Sequence, residues 1–170
     1  RVAAAPAHLY RPQDAWRVRW NMNTDTPLPP EEPAGENPPE GAIINYVLNA
    51  PVASVLVEIL DGGGRVVRRY TSEEKVEPPA DEGQVPRLWI RPADPPGKTA
   101  GMHRITWDLY YAPPKAAAFS YPIAATPGNT VRVPAGPWAP PGGYTVRLRA
   151  GAETLTQPLR LRMDPRVKTP

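Results

Sequence analysis

No cysteine occurs in the 170 residues, so disulfide staples and thiolate metal sites are excluded. Histidine is nearly as scarce: His8 and His103 are the whole supply. A zinc site would need further ligands, and no close His/Asp/Glu spacing provides them. No apolar run approaches the length of a membrane span. The serines Ser54, Ser72 and Ser120 lie in no nucleophile motif, and GxSxG is absent. A start at Arg1 without methionine, and without a signal peptide, suggests a piece excised or processed from something larger.

Charge of one sign is also modest, with a net of +3. Arginine outnumbers lysine 16 to 4, but the arginines mostly alternate with apolar residues. Arg147 with Arg149, and Arg160 with Arg162, read as solvated strand faces. A nucleic-acid site would want a basic cluster interleaved with stacking aromatics, so nucleic acid is not an expected partner.

What the chain has in abundance is proline, 26 residues beside 13 glycines. The prolines are clustered, and alternating apolar segments lie between the clusters, which reads as short strands joined by stiff loops. The stretch that organises the rest is VASVLVEILDGGGRVVRRYTS at 52–72. Two runs rich in Val, Ile and Leu flank Asp61-Gly62-Gly63-Gly64, the pattern of a β-hairpin. Val55, Val57 and Ile59 make one face apolar, alternating with Ser54, Leu56 and Glu58. A lone hairpin is marginal in water, so other strands must cover it.

Residues 1–16 show no sustained period and read as a connector from a preceding domain, with 17–170 forming the module proper. Arg17–Asn21 is a short strand with Val18 and Trp20 on one side. The segment 23–41 holds six prolines in nineteen residues and reads as a polyproline-like strap or, alternatively, a peptide-type docking segment. AIINYVLN at 42–49 follows, with Ile44, Tyr46 and Leu48 on one face. Arg87–Ile90 is a candidate short strand. In GMHRITWDL at 101–109, His103, Ile105, Trp107 and Leu109 share a face. The stretch 110–141 is a long irregular insertion with one short strand at 130–133. GYTVRLRA at 143–150 and ETLTQPLRLRMD at 153–164 make a second hairpin over Gly151-Ala152, Pro158 marking an edge or a bulge. No helix is predicted. The expected fold is an all-β antiparallel sandwich with long proline-rich loops.

Candidate chemistry is thin. His103, in phase with Ile105 and Trp107, reads as a partly buried core histidine. The carboxylate pairs Glu31-Glu32, Glu73-Glu74 and Asp81-Glu82 sit on polar loops, whereas a glycosidase needs two carboxyls about 5–10 Å apart across a cleft. Asp61 and Asp108 are expected to shape turns at strand ends. A structural calcium on loop carboxylates such as Asp25 would lack the spacing of a known loop, and no cofactor is expected. Trp107 is assigned to the core, and Trp20 and Trp89 to at least half burial. Trp138, within GPWAPP, and the pair Tyr110-Tyr111 have two readings, proline–aromatic packing or an exposed sugar-stacking platform.

Three segments together, VEILDGGGRVVRRY, GMHRITWDL and PPGGYTVRLRAG, resemble the immunoglobulin-like or fibronectin-type-III-like module also seen in the flagellar hook-cap protein. There a strand ending in Asp-x-x-Gly is followed by Trp-Asp and then Pro-Gly-x-Tyr. The resemblance gives Tyr144 the role of the corner tyrosine. That module usually places a glycine after Trp-Asp; here Leu109 stands there and a long insertion follows. The segment 21–48, with MDPRVKTP at 163–170, is similar to the C-terminal region of large secreted bacterial proteins built on a BNR/sortilin-like β-propeller and often labelled glycosyl-hydrolase-like. This resemblance covers nearly all of residues 16–170 and implies an extracellular or periplasmic, non-catalytic accessory module partnered with a preceding propeller of the same chain. A carbohydrate- or peptide-binding module is the alternative, with polysaccharide or peptide as partner.

Overall fold

The computed structural model describes residues 5–18, 31, 33, 39–75, 85–115, 119–122, 128 and 130–168. Among these residues eight strands carry the architecture: β1 (Ala7–Leu9), β2 (Ala15–Arg17), β3 (Ala42–Leu48), β4 (Val55–Leu60), β5 (Val66–Thr71), β6 (Gly101–Trp107), β7 (Gly142–Ala150) and β8 (Glu153–Met163). They form two sheets, ordered β1-β3-β6 and β2-β8-β7-β4-β5. Every pairing is antiparallel except β2 on β8, which is parallel. The all-β sandwich is therefore the fold, with no helix beyond a 3-10 turn at Arg87–Trp89 among the described residues.

Period-two alternation puts the apolar residues of both sheets in one shared core. Ala42, Ile44, Tyr46 and Leu48 of β3 are buried, as are Ile105 and Trp107 of β6 opposite them. Val55, Val57 and Ile59 of β4 face Val146 and Leu148 of β7, whose register pairs Val57 with Leu148 and Ile59 with Val146. Trp107 is the largest fully buried side chain among the described residues, and its indole N–H donates to the Tyr110 carbonyl at 2.9 Å. Gly41 enters β3 at φ 130°, and a Cβ there would lie 2.1 Å from the Trp107 carbonyl oxygen. Only glycine lets those two backbones approach so closely.

The hairpin turn is held by Asp61. Its carboxylate accepts from the backbone N–H of Gly63 at 2.9 Å and of Arg65 at 3.0 Å, and pairs with the Arg65 guanidinium at 3.0 Å. The Arg65 backbone donor, then its side chain, holds the Asp61 carboxyl below its usual range despite some desolvation. Beyond the turn the register slips by one, with Ile59 opposite Arg68 and Leu60 opposite Val66. Val67 is the extra residue, and its side chain goes into the core.

Several sequence expectations are corrected. Residues expected as a connector contribute β1 to one sheet and β2 to the other, so the segment 7–16 is part of the sandwich. These strands were too short for any period to show. The strand expected at 17–21 lies earlier, at Ala15–Arg17; residues 19–21, Trp20 among them, fall outside the described residues. Most of the 23–41 strap also falls outside them. Arg87–Ile90 is a 3-10 turn ending in a bridge from Ile90 to Thr130 rather than a strand. The strand expected at 130–133 reduces to isolated bridges at Thr130 and Val133. Around them Val85, Ile90 and Tyr121 form a small satellite cluster, with Leu88 exposed and Trp89, at 40% exposure, more than half buried as expected.

Candidate functional site

The candidate ligand aromatics lie where the insertion returns to the sandwich. Residues 109–111 run antiparallel to 137–139: Tyr111 N–H donates to the Pro137 carbonyl at 3.0 Å, and Ala139 N–H to the Leu109 carbonyl at 2.8 Å. Gly136 permits this pairing, since a Cβ there would lie 2.2 Å from the Tyr111 carbonyl oxygen. Leu109 and Ala139 are buried in the core, Tyr111 and Trp138 pack against it, and Tyr110 is set opposite Trp138.

Tyr110 and Trp138 stack, with ring centroids 5.6 Å apart and planes 14° from parallel. Arg17, at the end of β2, places its guanidinium carbon 4.6 Å from the Trp138 ring, in cation–π range, and Nη1 donates to the Ala139 carbonyl at 3.4 Å. The structure thus brings Tyr110 and Trp138 together and leaves both half-buried. The stack is made by Tyr110 and Trp138, whereas the Tyr111 hydroxyl neighbours that of Tyr144.

Tyr144 is buried at the start of β7, and its hydroxyl donates to the Pro140 carbonyl at 2.7 Å. Its ring lies 5.1 Å from that of Trp107. Burial, and then the neighbouring Tyr111, push the Tyr144 phenol up to about 12. Asp108 closes the other side of the edge. Its Oδ1 accepts from Tyr110 N–H at 3.2 Å, and Oδ2 accepts from Arg68 Nη2 at 3.4 Å. Between them Leu109 sits at φ 63° with its side chain buried. This is the left-handed region that glycine favours, and here the leucine is buried with its carbonyl accepting from Ala139 N–H. Arg68 also donates to the Tyr70 hydroxyl at 3.3 Å within β5, and through Asp108 and the Tyr111 carbonyl it ties β5 to this edge.

The histidines take structural positions. His103 stacks on Tyr46 at 5.1 Å with Nε2 2.8 Å from the Thr99 carbonyl, and His8 meets Tyr10 edge-on at 4.7 Å. Glu31, Glu73 and Glu74 are exposed; Glu32, Asp81, Glu82 and Asp25 fall outside the described residues. Ser72 accepts from Val55 N–H at 2.9 Å through Oγ. Among the described residues no group of three or more His, Asp or Glu is placed to hold a metal ion.

Sequence reasoning missed one cluster. Glu58, on the outward face of β4, is 1% exposed. Arg69 of β5 donates to its Oε1 through Nη2 at 2.9 Å, and Arg147 of β7 to its Oε2 through Nε at 2.8 Å. Arg149 lies further off, Nε at 3.7 Å from Oε2. Burial opposes ionisation of Glu58, but the hydrogen bonds from Arg69 and Arg147 outweigh it and hold the carboxyl below its usual range. Arg147, read as solvated, is thus tied to a buried charge, whereas Arg149 is exposed as expected. The signal that could have found it is cross-strand position: Glu58 faces Arg69 and Arg147 in register.

No protein-family model, no curated protein and no solved structure matches the chain.

Proposed function

We propose that this chain is a non-catalytic accessory module of a larger secreted bacterial protein, outside the cell or in the periplasm, where it stabilises or orients a neighbouring propeller-type domain. The finer fold reading is immunoglobulin-like or fibronectin-type-III-like. The sheet order, and a tyrosine opening β7 whose hydroxyl reaches four residues back, both support it. One observation carries the functional reading: three shielded carboxylates among the described residues are committed to arginine. Glu58 is clasped by Arg69 and Arg147, Asp164 by Arg166 and Asp61 by Arg65. A general acid needs its pKa raised toward the working pH; all three of these carboxyls are held down instead.

Two experiments test it. The purified chain is assayed against chromogenic glycosides, esters and peptides, with no turnover expected. Turnover abolished by changing a single carboxylate overturns the proposal. The full natural gene product is then compared with a version lacking residues 1–170. A lower melting temperature or secretion yield with unchanged turnover of the remainder is the expected outcome. An unaltered remainder counts against the accessory role.

The half-buried Tyr110–Trp138 stack favours a second reading, a carbohydrate- or peptide-binding edge. Titration with soluble polysaccharides and proline-rich peptides, followed by tryptophan fluorescence in wild type and Trp138→Phe, separates it from the first.

A further inference from the structure

The outward face of the five-stranded sheet is a different surface from the aromatic edge. Five arginines lie on it: Arg69 on β5, Arg147 and Arg149 on β7, and Arg160 and Arg162 on β8. Against them stand two carboxylates, Glu58 beneath the first three and Asp14 beside Arg162. The charge of the whole chain is only +3, so this face concentrates its excess.

The arrangement is ordered rather than diffuse. Glu58 engages the Nε–Nη2 edge of both Arg69 and Arg147, fixing the two guanidiniums one strand to either side. A guanidinium carries five N–H donors, so this clasp uses part of each. The Arg149 side chain is 51% exposed and beyond hydrogen-bond distance of Glu58, and Arg160 is exposed. Thr156 and Thr154 are the direct cross-strand neighbours of Arg147 and Arg149, setting hydroxyls beside the cations. At the far side Trp16 is 45% exposed, with Arg162 over its ring at 5.5 Å.

We infer that this face binds an acidic polysaccharide, with Arg69, Arg147, Arg149 and Arg160 taking its carboxylate or sulfate groups and Trp16 taking the face of a sugar. Charge complementarity selects a polyanion, and the threonine hydroxyls and the single flat indole suit a hydroxylated chain. A single-stranded nucleic acid would call for successive stacking aromatics, and the face carries one. The site stands whether or not the chain serves as an accessory module, and it does not involve Trp138.

The test is affinity electrophoresis at low salt in gels containing polygalacturonate, dextran sulfate or neutral dextran. Wild type is expected to be retarded by polygalacturonate, the carboxylate arm, or by dextran sulfate, the sulfate arm, and not by dextran. Rising salt weakens the retardation. Arg149→Gln with Arg160→Gln should weaken it about tenfold, and Trp16→Ala, outside the Glu58 clasp, about threefold. The charge-matched pair Arg104→Gln, on β6 of the other sheet, with Lys115→Gln, outside every named strand, should leave it unchanged. Thermal melting of each variant checks that the fold is intact. Equal weakening by both double variants, no retardation of wild type by either polyanion, or tighter binding of a single-stranded DNA oligonucleotide overturns the inference.

Discussion

Replacing Glu58 with glutamine keeps the shape of the side chain and removes its charge. The carboxylate accepts from Arg69 at 2.9 and 3.3 Å and from Arg147 at 2.8 Å. Breaking a buried ion pair by deleting one partner costs about 3–5 kcal/mol. Here the Arg69 side chain is 60% exposed and that of Arg147 25%, so water takes up part of what is released. That discount brings Glu58→Gln to about 2 kcal/mol at neutral pH. Urea unfolding of both proteins across pH measures it. Because the folded Glu58 is held below the ordinary 4.5, its contribution is complete above that pH and is lost as pH falls through the folded value. The other carboxylates protonate in both proteins and cancel in the difference. The gap should therefore be constant from pH 7 to 5.5 and close below 4.5. A gap under about 0.5 kcal/mol at pH 7, the size of a neutral surface change, would refute the reasoning. So would a gap of unchanged size at pH 3.

Trp107→Ala should cost about 3–5 kcal/mol, a large share of the roughly 5–15 kcal/mol that holds a domain together; a variant melting within a few degrees of wild type would contradict its place in the core. Tyr144→Phe should cost about 0.5–1.5 kcal/mol through the lost bond to Pro140. Because the folded Tyr144 phenol is raised from 10.0 to about 12, wild type loses that advantage as pH rises from 10 toward 12 while the phenylalanine variant does not. Alkaline unfolding curves that stay parallel would contradict the assignment.

The sandwich was legible wherever a strand is long enough to alternate. The two hairpins, the inward Ile44-Tyr46-Leu48 face and the buried Trp107 all follow from period two and turn chemistry. β1 and β2 did not, because three residues carry no period and their places are set by β3 and β8 far along the chain. Glu58 illustrates a second limit. Alternation places it on the outward face, but burial there depends on what stands across, and Arg147 is 89 residues away. Even Arg69, within the same hairpin, meets Glu58 only because Val67 is accommodated as an extra residue. The Tyr110–Trp138 stack needed the pairing of 109–111 with 137–139, which arises inside an insertion with no periodic signal of its own.

The parallel contact of β2 with β8 has a mechanical meaning. Ala15, Trp16 and Arg17 pair with Leu161, Arg162 and Met163, and Asp14 adds an ion pair to Arg162. Tension drawing the chain before β2 and the chain after β8 apart pulls two parallel strands in opposite directions. Their hydrogen bonds are then loaded together, in shear, rather than opened one at a time as an antiparallel pair unzips from its end. Just upstream, β1 is bonded into the opposite sheet through β3, and Gln157 of β8 donates to the Leu9 carbonyl across the gap at 3.1 Å. The same short segment that resists the pull therefore also laces the two layers, and a load on it is shared by both.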